Sequence, residues 1–454
     1  MVMVFWGQLS LKSKLGLGVL VSYTSFEVYM QVRTQAVIRR RRQAVSLLEE
    51  NGPADISKFK SAVVAGTFVN PFEEYRPQTA FEFVFVRLME IFESIYGANI
   101  EIHDKLPHPK NGAVEVEDLL KLHKPSLDQL RANSALFQQC VSSKDFQKLF
   151  QLVSPKNYTF KSDINYLPCV NNQMLFTWLG QSCGLLQVAG INFLTDPILS
   201  DHLINERFGP KRLIKSPMTF DDIKFATNDN LNFVLVSHDH PDHLETSLIK
   251  KFGNSTTWIV PLGLKKKLAR HGVYKVIEMD WWDNLDLNDY LSPDLPDKYE
   301  IECVPAMHWS GRYVFDSNKS LWCSYVIKRN GKSLVYHAGD TGYLKDLFDV
   351  IGKRVGSVLL SLLPIGQYCP SWHQKPRHTS PEETLRIFKQ TNTKFMKGVH
   401  WGTFKLSGEP ILEPKYLLTK LAKHQNNLDC CKTPEFGLSY MYDLEKETET
   451  ELHV

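Results

Sequence analysis

One stretch near the middle of the chain restricts its fold and chemistry more than any other. Phe233-Val234-Leu235-Val236 is a short apolar run, and Ser237-His238-Asp239-His240-Pro241-Asp242-His243 follows it directly. A run of this length and composition reads as a buried strand. Three imidazoles and two carboxylates in the six residues after Ser237, placed at a strand end, suit a metal site, since His and Asp are what zinc takes when thiolates are absent. A single histidine is more often a satisfied structural residue. The H-x-H-x-D-H spacing behind a β-type run is a different signal, and it predicts ligation.

Charge and cysteine usage narrow the function classes. The chain has 454 residues, enough for a large core and up to two domains. Lys and Arg number 53 against 50 Asp and Glu, a net charge of +3, which lacks the electrostatic footprint of a nucleic-acid binder. The eight cysteines (140, 169, 183, 303, 323, 369, 430 and 431) are scattered, with no C-x-x-C pair. That pattern predicts reduced thiols in a cytosol-like compartment and excludes a tetrathiolate zinc site.

The sequence divides into four stretches. Residues 1–65 read as a targeting or membrane-anchor segment. Leu15 to Val32 is mostly apolar and lies between Lys12/Lys14 and a basic run from Arg33 through Arg39–Arg42. Its length is marginal for a span, and Glu27 within it is costly at depth. An ordinary helix packed on the protein is the alternative. The arginines after it would hold the following chain on the cytosolic or matrix side. Residues 66–172 read as an amino-terminal extension packing on the catalytic domain. There Phe81 to Tyr96 is a greasy helix, either core or lipid-facing. Residues 173–440 form the catalytic domain and 441–454 a polar tail.

Within 173–440 strand-like and helix-like pieces alternate, which argues for an α/β architecture. Three places repeat the pattern of the opening motif, an apolar run followed by a polar residue in a loop. Ile301 to Val304 leads to His308, Ser333 to Tyr336 leads to Asp340, and Phe395 to Val399 leads to His400. Strand ends on one edge of a sheet sandwich would bring these loops to the first. A carboxylate flanked by Gly339 and Gly342 can approach and bridge two cations; its other reading is an Asx turn before a helix. His337 reads as a strand end and not as a ligand.

The order His238-Asp239-His240-Pro241-Asp242-His243, His308, Asp340, His400 resembles the metallo-β-lactamase superfamily. Further words narrow the resemblance: Thr177-Trp178-Leu179-Gly180, Leu194-Thr195-Asp196-Pro197, Gly209-Pro210-Lys211-Arg212, Asp280-Trp281-Trp282, Gly339-Asp340-Thr341-Gly342-Tyr343 and His400-Trp401-Gly402-Thr403-Phe404. Together they are similar to N-acyl-phosphatidylethanolamine-hydrolysing phospholipase D, and the long amino terminus resembles the fungal, mitochondrial branch. The resemblance implies an αββα sandwich with an amino-terminal extension and two Zn²⁺ per subunit. One zinc would be held by His238, His240 and His308 and the other by Asp242, His243 and His400, with Asp340 bridging. It implies hydrolysis of N-acyl phosphatidylethanolamines to N-acylethanolamine and phosphatidic acid, by a homodimer resting on a membrane. The mitochondrial inner membrane is the favoured location, with the cytosolic face of an endomembrane as the alternative.

Departures from the family pattern bear on substrate. Gln181 stands where the family usually has His, Arg377-His378 where it has Gln-His, and Pro241 where it often has Tyr. Asp242 is expected to orient the nucleophile, with His378 and Arg377 as contacts to phosphate or leaving group. Gln181, Tyr368 and Trp372 are expected substrate contacts. Another phosphodiester, a lactone, or a catalytically idle membrane scaffold are the competing readings, and iron or manganese the competing metals.

Overall fold

The computed structural model describes residues 10–46, 56–77, 81–89 (without 83 and 87), 120–140, 172–204, 209–291, 295, 297–313 and 315–452. The chain separates into two compact units, Met1–Asn99 and Ile100–Val454.

In the first unit one long helix runs from Leu11–Ser46, and a hairpin follows, β1 (Ala62–Val64) and β2 (Thr67–Val69), paired Ala62 to Val69. Ala65 and Gly66 both have positive φ, 51° and 71°, as a tight two-residue hairpin turn demands. The division expected between 65 and 66 therefore falls on a turn and not on a linker. Leu15, Val19, Val21, Phe26, Val28 and Val32 of the helix are exposed. Gly16, Gly18 and Glu27 dilute the apolar run, and no helix among the described residues is long and apolar enough to cross a membrane. The 15–32 stretch is thus helical throughout. Most of Phe81 to Tyr96 lies outside the described residues.

The second unit holds two sheets. The first begins with β3 (Gln173–Gly180), β4 (Cys183–Val188), β5 (Ile191–Thr195), β6 (Phe233–Leu235), β7 (Thr257–Pro261) and β8 (Val276–Met279). The chain then builds β9 (Asn284–Asp286), β10 (Tyr299–Val304), β11 (Ser324–Arg329), β12 (Lys332–His337), β13 (Val358–Pro364), β14 (Thr393–Val399) and β15 (Cys431–Lys432) into a second sheet. It returns with β16 (Ser439–Asp443) and β17 (Thr448–Leu452) to complete the first, in the order β17-β16-β3-β4-β5-β6-β7-β8. The stretch from 441 on, expected as a polar tail, is thus sheet. Its alternating Thr-Glu composition suits an edge strand paired on one side.

Strand periodicity divides each sheet into two faces. Leu175, Leu185, Leu194, Val234, Trp258 and Val260 form one core with Ile223, Leu248, Ile249 and Leu268 of the short outer helices. On the other sheet, helix Pro381–Gln390 packs on β13 and β14, and helix Lys345–Val355 packs on it in turn. Between the sheets, the Tyr325 hydroxyl donates to Val236 O at 2.9 Å and Lys397 of β14 meets Glu449 of β17 at 2.8 Å. Helices thus cover the outer faces of both sheets, the αββα sandwich expected from the sequence. From the extension, helix Leu127–Cys140 docks on the first sheet, where Gln187 Nε2 donates to Leu130 O and Ser134 Oγ to Thr227 O.

The Lys397–Glu449 pair is almost completely buried, with the ammonium 3.8 Å from the Tyr440 ring centroid. Removing one member of a buried pair strands the other charge. Lys397→Ala is expected to lower the unfolding free energy by about 3 kcal/mol, measured by denaturant titration. A change under about 1 kcal/mol would mean the pair acts as a surface bridge.

The topology also sets the site. Strands β3, β5 and β6 run one way in the first sheet, and β10, β12, β13 and β14 run alike in the second. Their carboxyl ends carry Gln181, Asp196, the 238–243 motif, His308, Asp340, Gln367 and His400.

Candidate metal centre

The seven residues expected as ligands converge in two groups that could hold metal ions. His238, His240, His308 and Asp340 form one; Asp242, His243, Asp340 and His400 form the other, and within each group the ligand atoms lie within 4.8 Å of one another. Asp340 belongs to both. Its Oδ2 is 3.9 Å from His238 Nε2, 3.7 Å from His308 Nε2 and 3.2 Å from His243 Nε2, and its Oδ1 is 3.1 Å from His400 Nε2. In the second group Asp242 Oδ2 is 3.5 Å from His243 Nε2 and 3.3 Å from His400 Nε2. All seven are buried.

The donor chemistry fits cations. His238 Nε2 lies 2.7 Å from His240 Nδ1, and His243 Nε2 lies 3.1 Å from His400 Nε2. Burial first, and then the neighbouring imidazoles, hold His238 and His240 well below the usual histidine range. Burial likewise pushes His308 down to about 4. In this first group, neutral rings with converging lone pairs are what a divalent metal binds; in the second, the carboxylates, Asp340 foremost, outweigh burial and hold His243 and His400 above the usual histidine range, positive charge that a bound cation would replace.

Outer hydrogen bonds select which nitrogen faces the centre. His308 Nδ1 donates to Arg377 O at 2.9 Å, leaving Nε2 for the site. His243 Nδ1 donates to Asp196 Oδ2 at 2.9 Å. Asp196 also accepts from Ser237 N at 2.7 Å, Ser237 Oγ at 2.8 Å and His337 Nε2 at 2.9 Å. Burial disfavours this carboxylate, but His337 and His243 outweigh it and hold its pKa at about 2. Asp239, between two ligands, points elsewhere. It takes Lys267 Nζ and Arg312 Nε, each at 2.6 Å, while the Arg312 guanidinium also donates to His240 O and Leu244 O, clamping the 238–244 loop. Gly339 (φ +58°) lets the Asp340 loop approach, since a Cβ there would fall 2.5 Å from Ser237 Cβ. Gln181, Asp196 and His400 also have positive φ, strain that rigid surroundings must hold.

The remaining expected residues divide. Gln181 lies in the centre, its Nε2 donating to Asp242 Oδ2 at 2.8 Å and lying 2.9 Å from His400 Nε2. His378 is buried beside it, its Nδ1 3.7 Å from Asp340 Oδ2 and its ring stacked on His400 at 5.6 Å. Arg377, expected as a phosphate contact, lies beside the centre. Its guanidinium is buried and donates to His373 O, and its main-chain carbonyl accepts from His308 Nδ1. Tyr368 turns its hydroxyl to Glu413 at 2.6 Å, and Trp372 lies half exposed against His373. Neither lines the cavity beside the centre, which is bounded by Gln181, His400, Trp401, Phe404, Gln367 and Glu409 among others. Sequence reading missed Asp196, Ser237 and Arg312 as supports. The Thr195-Asp196-Pro197 word at the end of β5 was the available signal for the first.

Residues 191–401 match a family model described as a beta-lactamase superfamily domain. The chain is 38% identical over 435 residues to a mitochondrial N-acyl-phosphatidylethanolamine-hydrolysing phospholipase D of Saccharomyces cerevisiae, covering 94% of this chain and 87% of the relative. This chain belongs to that phospholipase D family. A second member, N-acyl-phosphatidylethanolamine-hydrolysing phospholipase D 1 of Caenorhabditis elegans, is 33% identical over 262 residues, 56% of this chain and 70% of the relative. Among solved structures, an isothiocyanate hydrolase from Delia radicum gut bacteria aligns with a TM-score of 0.47 at 19% identity, over 59% of this chain and 98% of that one. Family membership makes the chain a hydrolase, and the two ligand groups that share Asp340 mark its candidate dimetal centre.

Proposed function

We propose that the protein hydrolyses the phosphodiester of N-acyl phosphatidylethanolamines with two zinc ions, releasing N-acylethanolamine and phosphatidic acid. The observation that carries this is the double ligand group sharing Asp340, in a chain 38% identical to a phospholipase D named for that substrate. Zinc bound there supplies Lewis acidity toward phosphoryl oxygens and lowers the pKa of bound water. The chain's own groups do the positioning. Asp242 orients the nucleophile and is itself held by Gln181 Nε2. Gln181 supplies this hydrogen bond but, unlike a histidine, cannot titrate. His378, buried at the edge of both groups, is placed to donate to a phosphate or leaving-group oxygen.

The reading extends to location and partners. The yeast relative is named as mitochondrial, and we assign this chain to the same organelle, at the inner membrane. The exposed apolar residues of helix Leu11–Ser46 suit attachment along the lipid interface. A homodimer is part of the proposal; nucleic acid is not a partner. The test is mass spectrometry of products formed by the purified protein on vesicles containing N-acyl phosphatidylethanolamine and phosphatidylglycerol. Phosphatidic acid and N-acylethanolamine appearing together are expected. Release of glycerol with the N-acyl lipid intact would refute the substrate.

A further inference from the structure

We infer that Gln367 is the residue that recognises the amide of the substrate's N-acyl group, an inference that rests on the function proposed above. β13 ends at Pro364, and Ile365 N donates to Val399 O at 3.0 Å, so the chain still runs beside β14 as it reaches the His400 loop. Gly366 then lies directly on that loop, where a Cβ would fall 2.2 Å from His400 O. Gln367 follows with φ +65°, a conformation that a residue other than glycine adopts only when held.

Glu409 is what holds it. Its carboxylate accepts from the main-chain nitrogens of Gln367 and Cys369 and from the Ser407 hydroxyl. A half-buried carboxylate with three local donors fixes the backbone, which leaves the Gln367 side chain to a different task. That side chain lines the cavity beside the metal centre, and its Oε1 is buried without a hydrogen-bond partner. Buried acceptors rarely stay unmet without a reason. The carboxamide oxygens of Gln187, Gln390 and Gln425 are also unmet, but those residues do not line this cavity.

The proposed substrate carries the matching group. An N-acylethanolamine has one N–H donor, two methylenes from the ester oxygen that leaves phosphorus. His400 and Gln181 belong both to the metal centre and to the cavity wall, so a phosphodiester at the metals places its ethanolamide in this cavity. Trp401, Phe404 and Ile411 give the acyl methylenes an apolar surface. The N–H donates to Gln367 Oε1 and supplies the missing donor. An ester in place of the amide would set oxygen against oxygen.

The experiment compares two substrates in mixed micelles with the zinc-loaded full chain: N-palmitoyl phosphatidylethanolamine and its glycol-ester analogue, in which oxygen replaces the N–H. The wild type is expected to favour the amide in kcat/KM by roughly tenfold, the usual worth of one such hydrogen bond. Gln367→Leu and the near-isosteric Gln367→Met should lose about that factor on the amide while the ester is cleaved as before, so that the ratio falls to near one. Zinc content equal to wild type identifies a folded variant. A ratio unchanged in either folded variant, or no preference in the wild type, overturns the inference and leaves the proposed reaction standing. A wild type that cleaves neither lipid overturns both.

Discussion

Asp340→Asn is expected to abolish hydrolysis, lowering kcat/KM on N-acyl phosphatidylethanolamine by at least about a thousandfold. Only this side chain belongs to both ligand groups. Its two oxygens face different histidines, Oδ1 toward His400 and Oδ2 toward His243, His238 and His308. An amide keeps the shape but halves the acceptor capacity and removes the charge. His240→Ala, which touches one group only, should leave a protein that still binds about one metal ion. Elemental analysis alongside a phospholipid cleavage assay makes the comparison. Retained activity in Asp340→Asn would refute the two-metal reading, whatever the lipid.

Asp196→Ala is expected to have the largest effect on folding of any single change near the centre, about 3 kcal/mol, and to weaken metal binding by roughly 10–100-fold. Alanine leaves His243, His337 and Ser237 without their common acceptor in a fully buried space. His243 then loses the bond that sets which nitrogen faces the metal. Asp196→Asn should fall between the two, because its oxygen still accepts but its charge is gone. Thermal unfolding and competition with a fluorescent chelator report the two effects separately. A variant that melts like wild type would show that the imidazoles find other partners.

The ligands were legible because each follows the same local rule, an apolar strand and then a polar residue in its trailing loop. His238, His308, Asp340 and His400 could be picked out one by one, and the shared strand direction that gathers them follows from an α/β order. The supports were less legible. Asp196 meets His337 across 141 positions and Arg312 meets Asp239 across 73, and no local pattern encodes such distant contacts. Arg377 shows a different limit. The sequence marks the position, but not that its carbonyl accepts from His308. The carboxyl-terminal strands were hidden by composition. Thr448–Leu452 is polar because it is an edge, and its glutamates look solvent-facing until Lys397 and Lys432 are placed beside them.

The return of β16 to β3 also governs the order of assembly. β3 delivers Gln181 to the metal centre, yet one of its two neighbours comes from about 260 positions later, as the Thr177–Ser439 contact shows. While the chain is being made or threaded through a translocon, β3 and β4 can pair at once, but the outer side of β3 stays an open edge. Such contacts close slowly and leave a strand available to other chains in the meantime. Maturation of the centre is therefore tied to the 439–452 hairpin, and nascent chains lacking it should be the species that chaperones retain.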